Sequence, residues 1–257
     1  MPLHLLVKYP RMGSITTPFF YNTIAMKTLI TLLSSVALLT TTTFAQTAST
    51  QPEAAPYKPR IIKDFGLYIG INGVSGSGAD QFGLRPLGSR FVALSWRRQL
   101  PLGDKPGGMR IGIGPELAWN NFMFDNNQRL IENQNPITNR SESILVNETR
   151  NLKRSKLTTL QGNIPLLLMF GPSDGVTFGI GAYAGIRLDS YTKVKPSGGE
   201  TSRDHGAYNT TSLRWGLTAE AAWNESTGLF VRYEPSTTLF KAGQGPNVNI
   251  WSVGIRL

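Results

Sequence analysis

Between Val176 and Tyr191 every second residue is apolar. Val176, Phe178, Ile180, Ala182, Ala184, Ile186 and Leu188 alternate with Thr177, Gly179, Gly181, Tyr183, Gly185, Arg187, Asp189 and Tyr191. A period of two belongs to a β-strand with two unlike faces, and no helix sustains it over so many positions. The same alternation recurs over 65–74, 90–99, 109–124, 157–170, 212–223, 228–240 and 247–257, which predicts an all-β fold of eight strands. The connections differ in length. Leu100 to Gly108, Gly171 to Gly175 and Asn224 to Gly228 are tight, whereas those after the first, third and fifth strands are long and polar, Asp125 to Lys156 most of all. The connection after the seventh, Ala242 to Pro246, is brief, but an even strand number with short turns on one side and mostly long loops on the other predicts an eight-stranded antiparallel up-and-down transmembrane β-barrel, its short turns and both chain ends toward the periplasm.

Alternation alone leaves open which face is outside. Trp96, Trp119, Trp215, Trp223 and Trp251 all fall on the apolar parity, and indoles favour the boundary between lipid and water. Trp215 and Trp223 are eight residues apart on one strand, roughly 20 Å along a bilayer normal for a strand tilted ~40°. The other parity carries Arg97, Arg110, Glu116, Arg187, Asp189, Arg214, Glu220, Arg232, Glu234 and Arg256, mixed with glycine. A small barrel is just wide enough for side chains to fill, so these ten are expected to form an interior ion-pair network and the tryptophans a membrane-interface belt. Pro115, Pro165 and Pro235 lie inside expected strands and each removes a ladder donor, so bulges or strand ends are expected there.

The N-terminus adds compartment. Lys27, the apolar stretch Leu29 to Leu39, and Thr43 and Ala45 at −3 and −1 of a cut after Ala45 make a secretory signal, too short to cross a bilayer as an α-helix. Residues 1–45 are therefore expected to be a cleaved targeting segment, with Met26 a candidate for the true start. Residues 46–60, with three prolines and no apolar periodicity, are expected to be a flexible leader, and 61–257 the barrel. No apolar run beyond residue 60 approaches the length of a membrane helix, the longest being Ile164 to Phe170.

The 257 residues carry 26 Lys and Arg against 16 Asp and Glu. Lys8, Arg11 and Lys27 are the basic residues before the expected cut, which leaves 23 bases against 16 acids, +7, on the remainder. Charged residues are only 16% and glycines number 27, unlike a disordered polyelectrolyte. Cysteine is absent and the two histidines are His4 and His205, which leaves no material for thiolate sites, disulfides or a zinc site.

The segment Leu160-Gln-Gly-Asn-Ile-Pro-Leu-Leu-Leu-Met-Phe170, a tight turn, and the strand Gly179-Ile-Gly-Ala-Tyr-Ala-Gly-Ile-Arg187 resemble the outer-membrane protein beta-barrel domain family, the porin-family or PorT-like small barrels. There an Ile-Pro-Leu-Leu-Leu strand precedes a turn and a Gly-x-Tyr-x-Gly strand. The resemblance spans residues 61–257, accommodates Pro165, and implies a cell-envelope barrel without specifying a biochemical role. One departure is the final Leu257, where such barrels often end in an aromatic.

Chemistry beyond packing finds little material. His205 beside Asp204 in a polar loop reads as surface, and the carboxylates facing a similar number of arginines read as ion pairs, so no enzyme and no cofactor is expected. Gly73 to Gly78 lacks the following helix that phosphate cradling needs. The basic stretch Arg150, Lys153, Arg154, Lys156 lies near the outer boundary, within reach of lipopolysaccharide. The expectation is a monomer exported to the outer membrane, with lipid, lipopolysaccharide and the barrel-assembly machinery as partners, no nucleic acid, and a structural, adhesive or interaction role. The alternatives are a narrow porin-like channel, a secretion-system component and a lipid-modifying enzyme.

Overall fold

The computed structural model describes residues 60–103, 108–172, 175–223, 227–235 and 239–257. The targeting segment and nearly all of the expected leader lie outside the described residues. Among the described residues there are twelve strands: β1 (Ile62–Ser75), β2 (Arg90–Pro101), β3 (Arg110–Ile113), β4 (Glu116–Met123), β5 (Gln128–Gln134), β6 (Ser141–Asn147), β7 (Leu152–Phe170), β8 (Val176–Pro196), β9 (Ser202–His205), β10 (Leu213–Trp223), β11 (Thr227–Glu234) and β12 (Asn249–Arg256).

They close into a ring. β1 pairs with β2, β2 with both β3 and β4, these with β7, and β7 with β8; β10, β11 and β12 follow, and β12 returns to β1, all antiparallel. Since β3 and β4 lie end to end between the same two neighbours, the chain forms an eight-stranded antiparallel up-and-down barrel. Closure leaves no free edge in the ring. On the long-loop side β5 and β6 form a separate hairpin, and β9 adds to the far end of β8.

The three prolines are accommodated in two ways. Between β3 and β4 the register does not shift: Arg98 faces Ile113 and Ser95 faces Glu116 on one side, while Leu166 faces Ile113 and Asn163 faces Glu116 on the other. Gly114 and Pro115 therefore lie opposite Pro165 and Ile164, so Pro115 and Pro165 share one interruption of the ladder rather than each making a bulge. The Trp96 N–H still donates to the Pro115 carbonyl, at 2.9 Å. Pro235 is a strand end, because β11 stops at Glu234, six residues short of the expected limit at 240.

β7 and β8 run farther than the alternation indicated, to Leu152 and Pro196. Their registers contain a bulge: Leu160 faces Asp189 and Gln161 faces Arg187, which leaves Leu188 as the extra residue. One inserted residue exchanges the two faces of everything beyond it. Before the bulge Tyr183 is buried, and after it Ser190 and Thr192 are.

Along the ring the apolar parity faces outward. Ile164, Ile180 and Leu213 are 61%, 56% and 63% exposed, while Arg214 and Arg256 are 1% exposed inside. Inward glycines leave the room: a Cβ on Gly66 would lie 3.0 Å from Arg256 Nε, and one on Gly216 2.7 Å from Tyr183 Oη.

Candidate functional site: the lumen and its cap

Three groups of ion pairs stack inside the ring. Nearest the short turns, Asp64 of β1, Arg97 of β2, Glu220 of β10 and Arg256 of β12 converge. Arg97 holds Glu220 through two bonds of 2.5 and 3.1 Å and Asp64 at 3.1 Å. Arg256 bonds Asp64 and approaches Glu220 at 3.4 Å, and Gln99 and the Tyr68 hydroxyl donate to Asp64 and Glu220 at 3.1 and 3.0 Å. At mid-height Arg232 of β11 holds Glu116 of β4 with bonds of 2.7 and 2.6 Å, and Asn163 of β7 donates to the same carboxylate at 3.0 Å. The Arg232 guanidinium carbon also lies 4.9, 5.0 and 5.2 Å from the ring centres of Phe91, Tyr183 and Tyr68, within cation–π range. Above it, Glu234 accepts from Arg214 Nε at 3.0 Å and from the Tyr183 hydroxyl at 2.8 Å, and Arg214 reaches Thr159 at 3.1 Å.

Alternating parity explains why these groups meet, since every second residue of every strand points to one axis. Pairing explains why they tolerate burial: a buried carboxylate with one partner removed is left uncompensated, whereas bidentate guanidinium contacts satisfy both its charge and its lone pairs.

Eight of the ten ionisable residues read from the sequence as interior are buried within the ring: Arg97, Arg110, Glu116, Arg214, Glu220, Arg232, Glu234 and Arg256. Arg110, near the short turns, donates to Thr177 Oγ1 at 3.3 Å and has no acidic partner among the described residues. The other two stand apart. Arg187 sits at the rim, where its guanidinium donates to the Ala207 and Thr210 carbonyls at 2.9 and 2.8 Å and tethers the β9–β10 loop. Asp189 lies beyond the Leu188 bulge on the outer face, 3.3 Å from His205 Nδ1. Asp64, Tyr68, Tyr183 and Asn163 belong to the network but were not read from the sequence as part of it. Tyr68, Tyr183 and Asn163 share the inward parity, and Asp64 lies one residue before the first alternating segment.

The tryptophans all lie on the outer face. Trp96 and Trp223 occupy the halves of their strands nearer the short turns, Trp215 and Trp251 the halves nearer the long loops, and Trp119 the long-loop half of the span that β3 and β4 cover together.

At the long-loop end the lumen turns apolar. Phe122, Leu157 and Ile250 from the inner wall pack with Phe82, Phe124, Leu130, Tyr208, Leu239, Phe240 and Val248. The Phe82 ring meets Phe124, Phe240 and Phe122 at 5.3, 5.8 and 6.2 Å, edge-on arrangements that aromatic pairs favour. Polar ties fasten the cap: the Ser143 hydroxyl of β6 donates to the Tyr208 carbonyl at 2.7 Å, and the Asn209 N–H donates to Glu132 at 3.1 Å. Burial pushes the Tyr208 hydroxyl up to about 12, so it stays a donor to Asp204 at 2.8 Å. Beside the cap, a cleft of about 640 Å³ runs between β6 and the Ser77 and Asn247 loops. No group of three His, Cys, Asp or Glu suited to a metal ion occurs among the described residues.

No protein-family model matches the chain, and no curated protein does. One solved structure to which it is similar is Ail, the attachment invasion locus protein of Yersinia pestis, in complex with the heparin analogue sucrose octasulfate. The identity is 12% and the TM-score 0.33, over 76% of this chain and 97% of that one. The barrel itself is established by the closed ladder of this chain, independently of that likeness.

Proposed function

We propose that the chain is an integral outer-membrane β-barrel protein with a side-chain-filled polar interior and a structural, adhesive or interaction role. The observation that carries this is the inversion of the usual arrangement: large apolar side chains cover the outer wall while arginines and carboxylates pack inside. Water-soluble proteins seldom expose continuous apolar surfaces beyond a few hundred Å². The outward residues of β7 from Leu160 to Phe170 cover roughly 25 Å of bilayer normal for a strand tilted ~40°, the height of the lipid-facing band in such barrels. The resemblance to the outer-membrane protein beta-barrel domain family and the secretory-signal pattern of the N-terminal sequence support the same location.

The cap favours a closed barrel over a narrow channel, because apolar side chains from several loops meet across the lumen. The cleft beside it supports an interaction role on the long-loop side. Outer-membrane lipid and lipopolysaccharide surround the barrel in this proposal, and the barrel-assembly machinery inserts it. Cell fractionation combined with gel mobility before and after boiling tests it. An outer-membrane fraction whose mobility changes on boiling is expected; a soluble fraction with unchanged mobility overturns it.

A further inference from the structure

A row of like charges crosses the outer wall on the loop side of the apolar belt. Lys156 of β7 stands opposite Lys193 of β8, and Lys193 stands opposite Arg203 of β9. Beyond them Arg154 stands opposite Lys195. Directly opposed residues of antiparallel strands share a face. Ser155, between Arg154 and Lys156, and the next pair toward the belt, Leu157 and Thr192, are buried on the inner side, so the five cations project outward.

Like charges directly opposite one another destabilise a sheet, and here they are opposed across two neighbouring ladders. None of the five makes a salt bridge among the described residues. The nearest acids are otherwise engaged: Asp204, on the inward parity of β9, accepts from Tyr208, and Asp189 faces His205. Two of the cations are nevertheless held in place. The Lys156 ammonium donates to Asn121 at 2.7 Å, and the Arg203 guanidinium stands over the Tyr191 ring, 4.6 Å from its centre. Repulsion of this kind, in positioned side chains, is relieved when an anion arrives from outside.

Height identifies the anion. Lys156 is four residues from Leu160, at the edge of the apolar belt, which is about 10 Å along the normal at 3.3 Å per residue and ~40° tilt. Long basic side chains at that level reach the phosphate layer while their stems stay on the wall.

We propose that Lys156, Lys193 and Arg203, flanked by Arg154 and Lys195, form a binding site for phosphate groups of a glycolipid in the outer leaflet. The site presupposes the membrane-spanning barrel proposed above. A soluble polyphosphate shares this chemistry, and the position at the belt's edge selects the lipid.

The test uses the full chain refolded in phosphatidylcholine micelles containing lipid A, with native mass spectrometry reading which lipids remain bound. The wild-type chain should retain lipid A in excess over phosphatidylcholine and show no such excess for dephosphorylated lipid A. Combined Lys193→Gln and Arg203→Gln should lower the enrichment by about thirtyfold, as two surface cations imply, whereas Arg140→Gln on the hairpin side should leave it unchanged. Removing charges that repel one another leaves folding intact, and the mobility shift on boiling verifies this in every sample. Equal enrichment in wild type and double variant, with the shift retained, overturns the site and leaves the barrel standing. Inorganic polyphosphate binding as tightly as lipid A overturns the lipid assignment. Loss of the shift in wild type overturns the barrel and the site together.

Discussion

Arg232 and Glu116 come from opposite sides of the ring and meet through two hydrogen bonds, of 2.7 and 2.6 Å, with four aromatic rings around the guanidinium. Every polar group of that carboxylate is engaged, since Asn163 supplies a third donor. Glu116→Ala leaves Arg232 buried and uncompensated, and is expected to lower stability by about 3–5 kcal/mol. Combining it with Arg232→Met should recover part of that loss, because the leftover charge goes too. Urea unfolding in micelles, followed by tryptophan fluorescence, measures both. A single variant as stable as wild type contradicts the pairing.

The apolar outer wall makes a prediction of opposite character. Ile180 is 56% exposed and lies near the middle of the apolar run of β8. On a water-washed surface Ile180→Arg would change little. Facing hydrocarbon at mid-depth, it should destabilise the barrel by about 2–4 kcal/mol, read as the urea midpoint in lipid vesicles. Thr218→Val, on the inner face, serves as a comparison whose effect should not depend on the surrounding lipid.

At the rim, Arg187 ties the β9–β10 loop by donating to the Ala207 and Thr210 carbonyls. Arg187→Ala should free that loop without opening the ring. Limited proteolysis is expected to cut within residues 206–212 several times faster, while the boiling-dependent mobility shift persists. An unchanged cleavage rate would show that the tether is idle.

His205 and Asp189 are exposed and 3.3 Å apart, an arrangement of two surface groups. His205→Ala is expected to leave the lipid A composition of the producing cell unchanged, as judged by mass spectrometry of extracted lipid. A lost lipid A modification would move the protein among enzymes.

The ring was legible in the sequence because a two-sided strand must alternate, and over the apolar belt the alternation is broken chiefly near the end of β7, where the inward Leu167 and Met169 are apolar too. Legibility ended where the belt ends. The outer part of β7 is polar on both faces, as Lys153 to Lys156 illustrate, and in β8 the outward positions become Lys193 and Lys195, so no apolar periodicity marks them. The β5–β6 hairpin lay hidden in the longest loop because its apolar residues come in adjacent runs, Leu130-Ile131 and Ile144-Leu145-Val146. Within the lumen, charge and parity together pointed to the arginines and glutamates. Parity alone carried Tyr68 and Tyr183, whose rings look like core until their hydroxyls are seen on Glu220 and Glu234. Asp189 shows the limit of counting: one extra residue at Leu188 turns it from the inside to the outside, and nothing in the local sequence announces the bulge.

The orientation of the wall can be measured residue by residue, since the chain contains no cysteine of its own. Spin labels placed singly at Ile180→Cys, Leu217→Cys and Val253→Cys in vesicle-inserted protein should collide readily with oxygen dissolved in the bilayer and hardly at all with a water-soluble nickel chelate. High accessibility of those three positions to the chelate, with oxygen collisions no greater than in buffer, would contradict a barrel whose apolar face meets lipid.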